Sequence, residues 1–353
     1  MAQKGRFLIY GATGYTGKLT ARTAKAQGLK PILAGRSEEK VKPLAAELGL
    51  DWRAFDLKET AKLDAALKEV DVVLHIAGPF SATSKPMADA CIRTKTHYLD
   101  ITGEVAVFES LAARDAEAKK AGVMLLPGVG FDVVPSDCLA AHIKRRLPEA
   151  QDLKMYIGGL GKASRGTMKT MIEGVAKGTL VRRFDTLQTL DGMNEDLCDF
   201  GQGPKQTMAV SWGDVSTAWH STKIPNVEVH FEVTPELKRA MQIPGFVKIL
   251  LGLPFIQSIL KRQVDRGPEG PTDDERKRGY AVLIGVGRDE KGNTVRTRLK
   301  TPEGYSLTAQ TALAIAKRVL AGEFKPGFQT PSLAYGADFI LGFDGVTREE
   351  LNA

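Results

Sequence analysis

With 353 residues, 43% of them hydrophobic and 26% charged, the chain is long enough for two domains with buried cores and too apolar for disorder on the scale of a domain. The net charge of +7 suits phosphate-bearing ligands or an anionic surface, but no basic run is interleaved with aromatics, which argues against nucleic acid as a partner. Cys91, Cys138 and Cys198 stand far apart, the five histidines form no ligand cluster, and no apolar leader opens the sequence. A disulfide framework and a metal site are therefore not expected, and cytoplasmic residence is.

From Arg6 to Leu126 short apolar runs alternate with helical patterns. Strands are predicted at residues 6–10, 31–34, 52–55, 72–76, 98–99 and 123–126, and helices after the first strand and over 38–48, 61–70 and 105–121. Continuous apolar strands between amphipathic helices are parallel strands covered on both faces. The fold class expected is α/β, a Rossmann doubly wound parallel sheet, over residues 1–132. After the turn-rich Gly128-Val129-Gly130-Phe131-Asp132, the rhythm changes. Strands at 153–157, 227–233, 280–288 and 294–299 and helices at 134–146, 166–178, 235–242 and 306–320 describe a second α+β domain, 133–305, with a mostly antiparallel sheet. Residues 306–353 are expected to pack back on the first domain. The apolar stretch 243–260 is broken by Pro254 and interrupted by Lys248, too short a run to span a bilayer. It reads as a buried or interface element, a wall for a hydrophobic substrate, or a peripheral membrane contact.

The strongest chemical signal is Gly11-Ala12-Thr13-Gly14-Tyr15-Thr16-Gly17, which follows the first strand and opens a helix. Gly11 permits a tight turn, Gly14 lets backbone approach a diphosphate, and Gly17 lets helix pack on strand. The helix N-terminus then offers N–H groups and a partial positive charge to that diphosphate. At the end of the second strand, where an acidic residue would bind the ribose 2′-OH of NAD, stand Arg36 and Ser37. A guanidinium pairs with a 2′-phosphate, so NADP is the cofactor expected. Asp56, after the third strand, is placed at the adenine edge. Ala77-Gly78-Pro79-Phe80, after the fourth, is placed beside the ribose and nicotinamide.

These residues carry a resemblance. GATGYTG at 11–17, AGR at 34–36, AGPF at 77–80, YLDITGE at 98–104 and GVGFDVVPSD at 128–137 resemble the saccharopine dehydrogenase-like oxidoreductases, in the branch that includes trans-acting enoyl reductases. RGTMKTMIEG at 165–174 and the 267–279 loop resemble that branch too. The resemblance implies a nucleotide-binding domain, a second mixed domain and an NADP-dependent oxidoreductase, reducing a C=C (enoyl) or C=N bond of a small molecule, hydrophobic or acyl in character.

For the chemistry, no Tyr has Lys four residues later, which argues against a short-chain dehydrogenase mechanism. The catalytic candidates are Asp100, Glu104 and Asp132. Asp100 or Glu104 at a strand's carboxyl end could relay a proton; equally, Asp100 could close a turn and Glu104 sit in a helix's first turn. Asp132 is a junction residue or a helix cap. Arg165-Gly166-Thr167 opens a helix that could hold a substrate anion or simply begin there. The competing functions are a non-catalytic NADP sensor and a lipid-handling protein that retains a cofactor domain. A homodimer is left open.

Overall fold

The computed structural model describes residues 5–174, 178–190, 192, 194–234, 247, 251 and 253–352. The chain runs β1 (Phe7–Tyr10), α1 (Tyr15–Ala26), β2 (Ile32–Gly35), α2 (Glu38–Leu48), β3 (Trp52–Ala54), α3 (Thr60–Leu67), β4 (Val72–His75), α4 (Phe80–Thr94), β5 (His97–Asp100), α5 (Val105–Ala112), α6 (Asp115–Ala121), β6 (Met124–Leu126) and α7 (Val134–Arg146). It continues through β7 (Asp152–Gly158), α8 (Arg165–Gly174), β8 (Thr179–Arg183), β9 (Thr186–Leu190), β10 (Glu195–Asp199), β11 (Pro204–Ala209), α9 (Asp214–Thr222) and β12 (Asn226–Glu232). It ends with α10 (Pro254–Val264), α11 (Asp273–Arg278), β13 (Tyr280–Arg288), β14 (Thr294–Pro302), α12 (Gly304–Leu320), β15 (Gly327–Phe328), α13 (Pro331–Tyr335) and β16 (Thr347–Leu351).

The chain divides into two compact units, residues 1–134 with 305–336, and 135–304 with 337–353. In the first, seven parallel strands lie in the order β15-β6-β5-β4-β1-β2-β3. This is the doubly wound arrangement with its switch point between β1 and β4, where the strand order reverses and ligands bind beyond the strands' carboxyl ends. All four residues of β1, β2, β4 and β5 are buried, because a parallel sheet carries helices on both faces. The core gathers Leu8, Tyr10 and Ile32 of the sheet with Leu63, Leu67 and Met87 of the helices.

Two elements differ from the sequence-based expectation here. Helix α4 is not among the helices named from the sequence, and it forms with Pro86 inside it. The pattern over 105–121 forms two helices, separated at Ala113 and Arg114, rather than one.

The second unit is built on a nine-stranded mixed sheet with the path β10-β11-β12-β7-β13-β14-β16, to which β8 and β9 attach through β12. The β7–β12 pair is parallel, and the other described pairings are antiparallel. Gly285 and Gly287 of β13 let α7 lie close: a Cβ at Gly287 would overlap Ile143. The C-terminal stretch is shared between the units. Residues 305–336 rejoin the first, while 337–353, grouped with that return in the sequence reading, place β16 on β14 of the second sheet. His142 and Arg146 of α7 both reach Glu350 of that strand. The predicted helix 235–242 lies outside the described residues, as does most of 243–252.

Candidate functional site

Everything that bears on a cofactor gathers at the carboxyl ends of β1, β2, β4, β5 and β6. The turn after β1 is fixed first. Gly11 has φ +89° and donates its N–H to the Ala34 carbonyl at 2.9 Å, so the turn is tied to the end of β2. A Cβ at Gly11 would come within 2.8 Å of the Ala77 backbone nitrogen, so this turn also rests directly on the one after β4. A Cβ at Gly17 would overlap the Gly11 carbonyl oxygen, which is the close helix-on-strand approach that only glycine permits.

Gly14 is different. It is exposed, and the nearest atom a Cβ would meet is the Gly11 oxygen at 3.5 Å. As the N-cap of α1 it supplies no side-chain bond to the helix, and the first turn holds no acidic residue. Among the described residues no acceptor is found for the Thr16 and Gly17 N–H groups, and these, with the partial positive charge of the helix start, suit an anion. Glycine cradle, uncapped helix and switch-point location together fit a dinucleotide diphosphate. Thr13 and Thr16 are partly exposed in the same turn, and Tyr15 is held edge-on by Tyr305 at 5.1 Å.

Arg36 leaves the end of β2 exposed, and no hydrogen bond or ion pair of its guanidinium is found among the described residues. Ser37 is the N-cap of α2. Asp56 is used locally: its carboxylate accepts the Lys58 N–H at 2.9 Å, and its own N–H donates to Glu59. It closes the turn after β3.

The Ala77–Phe80 turn is braced from behind by two residues that sequence reasoning passed over. Thr83 donates its hydroxyl proton to the Ala77 carbonyl oxygen at 2.7 Å and lies 3.0 Å from Nε2 of the fully buried His75. Burial pushes the His75 imidazole down to about 3, so it is neutral. The only cue was position, a histidine closing an otherwise apolar strand.

The three carboxylates singled out as catalytic candidates come together in this unit but stand in different surroundings. Asp100, fully buried, accepts from the Thr102 and Gly128 N–H groups at 2.9 Å each and from the Tyr98 hydroxyl at 2.5 Å. Burial raises its carboxyl to about 6 against the pull of those bonds. It clamps the loop after β5 to the loop after β6. Glu104 reaches back 24 residues and accepts the Phe80 and Ser81 N–H groups at 2.8 and 2.9 Å. These are the first N–H groups of α4, so Glu104 caps that helix from outside and fixes the 77–80 turn.

Asp132 lies against Gly103, where a Cβ would fall 3.0 Å from its Oδ2. The residue keeps some solvent access, but the protein crowded around its carboxyl pushes it up to about 7. The loop that carries it is locked: Gly128 has φ +74° under the Phe108 ring, and Phe131 donates its N–H to Thr308 of α12 at 2.9 Å. In the second unit, Arg165 is not a free anion holder, because Nε donates to the Gly267 carbonyl at 3.0 Å and ties α8 to the 267–279 loop.

Comparison with known proteins agrees with this geometry. Residues 7–126 match the saccharopine dehydrogenase NADP-binding domain family. That match covers β1 to β6 of the parallel sheet of the first unit, which is thus an NADP-binding Rossmann domain of the saccharopine dehydrogenase type. Among its relatives are trans-acting enoyl reductases of Mycobacterium leprae, 37% identical over 150 residues, and Mycobacterium tuberculosis, 33% identical over 150 residues. Each match takes in 40% of this chain and 36% of the relative, so the chain spans little more than a third of the length of these relatives. Over 98% of its length the chain also has the fold of apo saccharopine dehydrogenase (L-Glu forming) from Saccharomyces cerevisiae, with a TM-score of 0.67, 14% identity and all of that chain covered.

Proposed function

We propose that the protein is an NADPH-dependent reductase that saturates a C=C bond conjugated to an acyl group, with Asp132 as the proton donor. The observation that carries this reading is the pairing of an open, glycine-built anion cradle at α1 with a protonatable carboxyl at the carboxyl end of the same sheet. The names of the mycobacterial relatives favour a C=C over a C=N acceptor.

NADPH, when bound, supplies the hydride. The α1 N–H groups and the Gly11–Gly17 turn hold its diphosphate. Arg36 and Ser37 receive the 2′-phosphate, which is the basis for choosing NADPH over NADH. The Ala77–Phe80 turn, held by Thr83 and Glu104, borders the reacting end. Reduction of an enoyl group takes up a hydride at the β-carbon and a proton at the α-carbon. A carboxyl raised to about 7 is substantially protonated at neutral pH and gives up that proton without a large penalty. Asp100 and Glu104 act as positioning residues, their oxygens already engaged with backbone N–H groups.

The test is NADPH oxidation, followed at 340 nm, by the full chain with crotonyl and longer enoyl thioesters, and with imine-forming pairs. Turnover with an enoyl thioester, lost in Asp132→Asn while NADPH still binds, is the expected result. Tight NADPH binding with no turnover on either class would replace the enzyme by a sensor of cofactor redox state.

A further inference from the structure

Helices α8 and α10 pack against each other in the second unit, and five of the eleven large apolar side chains exposed among the described residues lie on them or at the approach to α10. On α10 and its approach these are Leu253, Phe255 and Ile259, with Phe255 75% exposed; on α8 they are Met168 and Met171, the latter 53% exposed. The spacing is helical. Phe255 and Ile259 are four residues apart, and the same stripe continues through Arg262 and the following Arg266, all four exposed. The line down the helix thus passes from two apolar side chains to the Arg262 guanidinium, with that of Arg266 just beyond the helix end.

The acids near this stripe are engaged. Lys261 of α10 pairs with Glu173 of α8 at 2.5 Å, and Lys169 of α8 pairs with Asp265 at 2.6 Å. These two bridges run between the helices and consume the carboxylates of the pair, and no acid partner of Arg262 or Arg266 is found among the described residues. The face presents apolar area with uncompensated positive charge at one end. No described helix is long and apolar enough to cross a membrane.

We infer that the α8–α10 face is a docking surface for an anionic lipid bilayer. Phe255, Ile259, Met168 and Met171 would enter the acyl boundary, and Arg262 and Arg266 would meet lipid phosphates or carboxylates. A helix with this division between faces lies in the plane of the interface, held by buried apolar area and by attraction to anionic headgroups. A second copy of the chain, the other candidate occupant, would set Arg262 and Arg266 of two molecules close together with no acid on the face to receive them.

Flotation of the full chain with phosphatidylcholine vesicles, with and without phosphatidylserine, tests this. The chain is expected to float with the anionic vesicles in low salt and to remain at the bottom with neutral ones. Phe255→Asp combined with Ile259→Asp should abolish flotation, and Arg262→Glu combined with Arg266→Glu should reduce partitioning on the order of tenfold or more. NADPH binding by both variants serves as the folding check. A fluorophore on Phe255→Cys should brighten when anionic vesicles are added, which reads the contact without relying on the double variants. Failure of the wild type to float, equal flotation with neutral vesicles, or variants that float undiminished would overturn the inference. So would sedimentation showing a dimer that Phe255→Asp with Ile259→Asp dissociates.

Discussion

Helices α1 and α4 begin at the carboxyl ends of adjacent parallel strands, β1 and β4, on either side of the same switch point. Their N-termini have been treated in opposite ways. The start of α1 is glycine, with no side-chain bond from its N-cap and without an acidic residue in its first turn; the first two N–H groups of α4 are taken by the Glu104 carboxylate. A helix dipole at a switch point is thus not sufficient to make an anion site. The N–H groups must also be left to the ligand: among the described residues no acid is found on those of Thr16 and Gly17 in α1, while those of Phe80 and Ser81 in α4 are taken to hold the neighbouring turn in place.

The sharpest way to break this contrast is Gly17→Val. Its Cβ would overlap the Gly11 carbonyl oxygen, a backbone atom that cannot rotate away, so α1 must lift from β1. Overpacking of this kind costs on the order of 1–3 kcal/mol or more. The cradle is displaced with it, and NADPH affinity measured by calorimetry should fall at least a hundredfold. Gly14→Ala, with nothing nearer than 3.5 Å, should fold normally and show a smaller loss confined to cofactor affinity.

Asp132→Asn comes next in size. Removing the proposed general acid should lower kcat by roughly 10²–10⁴-fold with NADPH affinity unchanged. The pH dependence has a definite sign. In the proposed mechanism the reactive form of Asp132 is the protonated one, and its carboxyl is raised to about 7, so wild-type kcat should fall as pH rises through that value. The variant's residual rate should lose that limb. The same rise means that ionised Asp132 is less favourable in the folded than in the unfolded chain, so its contribution to stability declines between about pH 4 and 7, and Asp132→Asn should flatten this part of a melting-temperature profile.

Arg36 sharpens the comparison from the far end of the cofactor. Arg36→Ser should weaken NADPH on the order of tenfold or more and leave NADH little changed, since only the former carries the 2′-phosphate. Equal losses for both would assign Arg36 to the adenine rather than to the phosphate.

How much of this was readable in the sequence follows from the range of the interactions. The glycine turn, Arg36 and the alternating strands are local signals, set by dihedral angles, by period and by runs of apolar residues. The second unit's hairpins were not readable, because β9 (TLQTL) and β10 (EDLCD) are short, largely exposed and carry no alternation. The tail TREEL of β16 has one apolar residue and joins its sheet through pairing with β14. The carboxylates show the same limit. Asp100, Glu104 and Asp132 were recognisable as a group, but their separate surroundings depend on partners 23 to 29 residues away: Phe80 and Ser81 for Glu104, Gly128 for Asp100, and Gly103 for Asp132.

The smallest expected effect is also the most direct examination of the capped helix. Glu104→Ala removes the acceptor from the Phe80 and Ser81 N–H groups, and loss of a helix cap costs typically about 1 kcal/mol. Urea denaturation should show that loss, and Glu104→Gln, which keeps one good acceptor oxygen, should restore part of it. More telling is the anion response. With its carboxylate gone, the start of α4 becomes electrostatically like the start of α1, so sulfate should raise the melting temperature of Glu104→Ala more than that of the wild type, by mass action on a site that the wild type lacks. If sulfate stabilised both proteins equally, vacancy alone would not distinguish the two helices, and the glycine geometry around α1 would have to carry the whole difference.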